Sequence, residues 1–258
     1  MRVIRVVQED QINGLISKDK RIDGRKLDEF RKIEIEKNPI ENAEGSARVR
    51  IGKTDVIVGV KLGVGEPFPD KQNEGILITS AELSPIASPN FEKGPPREDS
   101  VELARVVDRG IRESKMIDME KLCIKEGEKV WMVFVDIEIV NHDGNLIDAS
   151  AMGATAALLN AQMPEYDGKK IDTEKKTGKL PITCKPIAVT FKKINGKLIV
   201  DPAAEEEIVR GARITVTTNE KGNVCAIQKG ESTPMTVEEI QQALDTSVKK
   251  GNEIRKVL

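Results

Sequence analysis

The chain has 258 residues, enough for one large domain or two small ones, and its 38% apolar share is enough for a core. Charged residues make up 33% and are finely mixed, which argues for a solvated globule and against a disordered chain. The net charge of −2 excludes a global field that would attract nucleic acid, so any RNA or DNA site must be a local patch.

The first predicted element is a short amphipathic helix near Gln8–Ile16. "DKRIDGRKLDEFR" follows, with Asp23-Gly24 as a turn signal. "KIEIE" alternates as a strand does, and "SARVRIG" and "DVIVGVKLG", joined by Lys53-Thr54, read as a hairpin. "GILITSAEL" is a further strand, and "SPIASPNFEKGPPRED" is a Pro/Gly/Ser-rich loop. A helix over Ser100–Lys115 comes next, with Asp99 or Ser100 as its expected cap. It gathers Leu103, Val106, Val107 and Ile111 on one side and a stripe of Arg105, Arg109 and Arg112 on the other.

"EKVWMVFVDIEIVNHDG" is a long strand ending at Asp143-Gly144, and Trp131 within it is expected in the core. "IDASAMGATAALLNAQ" reads as a buried helix whose small residues admit close neighbours. The charged run "YDGKKIDTEKKTGKLP" is expected to be a linker, dividing residues 1–168 from 181–258 with 169–180 between them. Two hairpins follow, the first turning at Asn195-Gly196, and then a helix with Thr236 and Glu239 at capping-box spacing. Strands then helices, twice over, make an α+β pattern with the outline of an internal duplication.

Most candidate chemistry has a bland alternative. "GKT" at Gly52–Thr54 is no phosphate loop, because Ala47 stands where the loop needs glycine and the lysine lies in a hairpin. His142 has no Cys or Ser partner nearby and reads as a turn or surface residue. The cysteines Cys123, Cys184 and Cys225 form no CxxC pair, which fits a reducing cytosol and a cytoplasmic protein. The longest apolar run, Val130–Val135, is far below the roughly 20 residues a membrane span needs, and no signal-peptide run opens the chain. "DPAAEEE", Asp201–Glu207, could bind Mg²⁺ or shuttle protons, or simply open a short helix whose dipole suits negative charge. The arginine stripe is either a solvated face paired with Glu102, Asp108 and Glu113, or an anion site, since guanidinium suits bidentate phosphate binding.

Taken in order, "IDGRKLDEFR", "GSARVRIGKTDVIVGVKLGV", "GPPREDSVELARVVDRGIRESKMID", "VDIEIVNHDGNLIDASAMGATAALLNAQMP" and "DPAAEEE" resemble the ribonuclease PH superfamily, and more closely its non-catalytic members in the archaeal exosome. The resemblance implies a ribonuclease PH fold, an S5-like βα domain followed by a smaller α+β domain. It implies a hexameric ring, a trimer of heterodimers with a catalytic ribonuclease PH-like subunit, RNA-binding cap subunits and single-stranded RNA as ligand. Inorganic phosphate would be consumed at the partner's site, with no cofactor or metal in this chain.

Catalytic members place paired arginines before a Ser-x-Glu at the start of the stripe helix, where this chain has Glu98 and Asp99 before Ser100, with Arg97 one place removed. Their phosphate cradle uses a small residue, a hydroxyl and an arginine after the Asp-Gly turn. Here Leu146 and Ile147 offer no donors, Asp148 would repel phosphate, and Ser150 supplies no charge. Asp201 matches the family's catalytic acid in type and is expected to be a structural remnant, with Glu207 at a second acidic position. Arg105 and Arg109 match positions from which the non-catalytic subunit reaches RNA, and Arg112, on the same stripe, is the lesser RNA-binding candidate. The expected function is a non-catalytic ring subunit that contacts RNA and completes its partner's active site in 3′-5′ degradation. The alternatives are a self-sufficient phosphorolytic exoribonuclease and a purely structural scaffold.

Overall fold

Alternating burial builds the first sheet. In the computed structural model, which describes residues 2–258 and side chains from Val7 onward, Val56, Val58 and Val60 are fully buried while Ile57, Gly59 and Lys61 turn outward. The elements in chain order are α1 (Arg2–Ser17), β1 (Ile33–Lys37), β2 (Gly45–Ile51), β3 (Thr54–Gly65), β4 (Ile76–Leu83), α2 (Glu98–Glu113), β5 (Cys123–Lys125), β6 (Lys129–Asn141), α3 (Leu146–Asn160), β7 (Gln162–Tyr166), β8 (Ile171–Lys179), β9 (Ile187–Ile194), β10 (Lys197–Val200), α4 (Ala204–Glu207), β11 (Ala212–Thr218), β12 (Val224–Gly230) and α5 (Val237–Ile254). The first sheet runs β1-β2-β3-β6-β4, with β5 also on β6, and β4 lies parallel to β6. The second runs β10-β9-β11-β12, all antiparallel.

Four layers result. The first sheet packs on α2 and α3, α3 packs in turn on β9, and α5 covers the far side of the second sheet. Strand β9 is buried on nearly every residue because helices cover both its faces. Helix α3 can lie between the sheets because its small residues let backbones approach. A Cβ added at Gly153 would stand 2.7 Å from Cγ2 of Val58. One continuous apolar core spans both halves of the chain, and Trp131 belongs to it. A satellite cluster of Ile12, Ile16, Ile194, Ile199 and Val209 ties α1 to the second half.

Several expectations change. The N-terminal helix extends well beyond Gln8–Ile16. The first hairpin turns on Gly52-Lys53, with Ile51 paired to Thr54, because Gly52 takes the left-handed backbone the turn needs. The N-cap of α2 is Arg97, so Asp99 and Ser100 lie inside its first turn, and Ser100 Oγ donates back to the Arg97 carbonyl at 2.9 Å. Residues 169–180 are no bare linker, since most form β8, which pairs with β7. The two strand-rich units also differ in strand order, so the duplication is one of outline only.

Candidate nucleic-acid interface and a closed anion cradle

Helix α2 buries Leu103, Val106, Val107 and Ile111 and turns its arginines outward. Arg105 and Arg109 are exposed, one helical turn apart, and neither forms an ion pair among the described residues. Arg112 differs. Its Nε and Nη2 donate to Asp108 at 3.0 and 2.9 Å, Nη2 also reaches the Leu77 carbonyl at 3.1 Å, and the bonds to Asp108 raise its pKa. The expected neutralisation of the stripe is therefore partial. Asp108 takes Arg112, while Glu102 pairs across the layer with Arg213 of β11. Exposed Glu98 and Asp99 make the helix's first turn acidic, which suits its dipole.

At the far end of β6, Asp143-Gly144-Asn145 turns the chain into α3. Gly144 has φ +87° and packs against the backbone of Pro202, Ala203 and Ala204, and Asn145 at φ 53° is also left-handed. This turn is where the expected phosphate cradle would open, and it is filled from within. Arg31 donates from Nη1 to the Asp143 carbonyl and from Nη2 to the Gly144 carbonyl at 3.2 Å. Its Nε and Nη2 donate to the two carboxylate oxygens of Asp201 at 2.9 and 2.7 Å. Every edge of this guanidinium is thus engaged.

Asp201, fully buried and at φ 50°, also accepts from the Arg31 amide at 2.9 Å, Arg25 Nη1 at 2.9 Å and Asn145 Nδ2 at 2.8 Å. Burial pushes its pKa up, and the Arg31 hydrogen bonds and charge more than reverse this, leaving it below the ordinary value. Beside it, buried Arg21 grips Glu206 through Nε and Nη2 and donates to the Val200 and Asp201 carbonyls.

Two more carboxyls close the site. Glu207 accepts from the Asn145 amide at 2.8 Å, so a carboxyl of the chain itself lies at the N-terminus of α3, where an anion would be drawn. Burial pushes it up to about 7. Asp148 corrects an expectation, for it does not face a cradle. It points into the second sheet, accepting from the Thr190 amide at 2.9 Å, Thr190 Oγ1 at 2.7 Å and Asn145 Nδ2 at 2.8 Å. Its pKa is pushed up to about 7 by burial. Ile147 is buried, Leu146 is half-buried, and Ser150 Oγ is buried without a hydrogen-bond partner among the described residues. His142 stacks on Phe91 with ring centroids 5.4 Å apart, in keeping with a turn residue.

Sequence reasoning missed Arg21, Arg25 and Arg31. They lie in a charged stretch and find their partners some 170 residues later, and no local spacing marks them. Among the described residues no cluster of three or more His, Cys, Asp or Glu side chains is placed to hold a metal, and no helix is long and apolar enough to cross a membrane.

Residues 29–164 match the family model described as 3′ exoribonuclease family, domain 1, and residues 184–250 match domain 2 of the same family. The chain belongs to the 3′ exoribonuclease family. Within that family it is 48% identical to the exosome complex component Rrp42 of Thermococcus kodakarensis, over 99% of this chain and 95% of the relative. It superimposes on a chain of the Archaeoglobus fulgidus exosome with RNA bound to the active site, with a TM-score of 0.92, 46% identity and 98% of each chain covered. A chain of an archaeal exosome core matches with a TM-score of 0.87 and 42% identity, over 98% of this chain and 97% of the other. The α+β architecture is accordingly the ribonuclease PH fold of this 3′ exoribonuclease family.

Proposed function

We propose that the chain is a non-catalytic component of an exosome core. It contacts single-stranded RNA through Arg105 and Arg109 and completes the active site of a catalytic ribonuclease PH-like neighbour. The carrying observation is a contrast in cation supply. Arg31, the cation at the Asp143-Gly144 turn, is saturated by Asp201 and backbone carbonyls, while Arg105 and Arg109 stand exposed and unpaired. Phosphorolysis must bring inorganic phosphate up to an RNA phosphodiester, and a cradle lined by Asp201 and Glu207 repels that approach. This disfavours the self-sufficient exoribonuclease. The partner in this reading alternates with the chain in a hexameric ring, RNA-binding caps sit on it, and the assembly is cytoplasmic. No cofactor is assigned to the chain itself.

A degradation assay on single-stranded RNA with inorganic phosphate tests this. The purified chain alone releases no nucleoside diphosphate, and adding the catalytic subunit gives activity. Arg105→Glu with Arg109→Glu weakens RNA binding by the assembled complex about tenfold or more and lowers the slope of log affinity against log salt by about two. Unchanged binding in that variant, or phosphorolysis by the chain alone, refutes the proposal.

A further inference from the structure

Arg105 has two carboxylates within helical reach: Glu102 three residues before it and Asp108 three after. Both are claimed elsewhere. Asp108 is held by both donor edges of Arg112 and by Thr79 Oγ1 at 3.3 Å. Glu102 is held by Arg213 Nη2, reaching over from β11 of the second sheet. The Arg213 guanidinium lies against Gly230 of β12, its pairing partner in register, and a Cβ added there would meet Nη2 at 2.6 Å. The side chain of Arg213 is 22% exposed and that of Glu102 is 43% exposed, so the pair sits at the seam between α2 and the second sheet.

We infer that Arg213 is a positioning residue for RNA binding: it withdraws Glu102 from Arg105 and so keeps the arginine pair cationic. This rests on the reading of Arg105 and Arg109 given above. Without Arg213, the freed Glu102 carboxylate has Arg105 as the cation three residues along its own helix. An internal carboxylate then competes with RNA phosphate for the same guanidinium. Arg213 itself reaches no RNA in this account, and its effect passes wholly through Glu102.

The test uses the chain assembled with its catalytic subunit, with a fluorescent single-stranded oligoadenylate as the probe in anisotropy titrations at low salt. Arg213→Met weakens binding about two- to fivefold, the range of one exposed ion pair. Adding Glu102→Gln to it restores affinity to within about twofold. Glu102→Asp, whose carboxylate is one methylene too short for Arg213, reproduces the weakening without any change in the second sheet, which covers the case in which Arg213→Met fails to assemble. A purely structural clamp leaves the Arg213→Met, Glu102→Gln double variant as impaired as the single one, and so does a direct Arg213–RNA contact. Either result overturns the inference, as does full affinity in both single variants. Arg105→Glu with Arg109→Glu is run in parallel. If that variant binds normally the proposed function fails, and if it binds poorly while Arg213→Met is silent only this inference fails.

Discussion

Replacing Asp201 by Asn is the sharpest probe of whether the carboxylate is a working acid or a structural anchor. Five donors converge on it, from Arg31 through Nε, Nη2 and its amide, from Arg25 and from Asn145. The side chains of Arg25 and Arg31 are only 9% and 8% exposed, so neutralising Asp201 takes from two poorly hydrated guanidinium groups their one fully buried counter-charge and leaves them the more exposed Asp23 and Asp143. Breaking a buried ion pair from one side costs about 3–5 kcal/mol. At roughly 2–4 °C per kcal/mol for a chain of this size, Tm falls by about 6–20 °C. Thermal and urea unfolding followed by circular dichroism measure it. The depressed pKa adds a sign. A carboxyl lowered in the fold contributes stability above its unfolded value near 3.8, and that contribution is lost as pH falls through the still lower folded value. The stability gap between wild type and Asp201→Asn therefore holds at neutral pH and narrows only in strong acid. A loss below about 1 kcal/mol at pH 7 would refute the anchor and return Asp201 to the list of working acids.

Asp148, buried and raised to about 7, has the opposite sign to Asp201: the fold keeps its proton while the unfolded chain has lost it, so stability declines as pH rises from about 4 to 7 and is flat above. Asp148→Asn flattens that dependence, read as a smaller difference in urea midpoint between pH 5 and pH 8. An unchanged difference would put the titration elsewhere, Glu207 being the other carboxyl raised to about 7. Gly45 and Gly59 lie on the paired strands β2 and β3 and should respond oppositely to alanine. A Cβ at Gly45 meets the backbone of Ala157 and Ala161, which cannot move aside, whereas one at Gly59 meets nothing within 4 Å. Gly45→Ala loses about 2 kcal/mol or more, and Gly59→Ala is neutral or gains up to about 1 kcal/mol in urea unfolding of the isolated chain.

The parts of the fold that were legible are those whose cause is local. Asn195-Gly196 turns a hairpin because both residues adopt positive φ, and Thr236 caps α5 because its hydroxyl accepts from the Glu239 amide while the Glu239 carboxylate returns to the Thr236 amide. Strand β8 was illegible for a physical reason. It pairs only with β7, so most of its residues are exposed and show none of the alternation that a half-buried strand carries. The start of α2 misled because Ser100 and Asp99 are good caps by type, yet the helix begins directly after Pro95-Pro96-Arg97 with no side-chain cap at all. At the site, the arginine stripe was readable as a pattern, but its division was not. Arg112 is held by Asp108 of its own helix, with the Leu77 carbonyl added from the first sheet, but that Arg105 is not likewise held by Glu102 depends on Arg213 of the second sheet.

Two sets of arginines in this chain thus do opposite work with the same functional group, and what separates them is the supply of acceptors within reach. Around the Asp143-Gly144 turn acceptors are close at hand. Asp201, Glu206 and the backbone carbonyls absorb Arg21, Arg25 and Arg31, and their burial makes the pairs insensitive to salt. On α2 acceptors are withdrawn. Arg112 and Arg213 occupy Asp108 and Glu102, the two carboxylates in reach of Arg105, and both Arg105 and Arg109 stand open to solvent, where any ion they bind is screened by salt. A cradle that keeps its cation for itself and a helix that offers its cations outward are the two halves of one charge arrangement. It is the arrangement the proposed function calls for, in which one subunit holds the RNA while a neighbour carries out the chemistry.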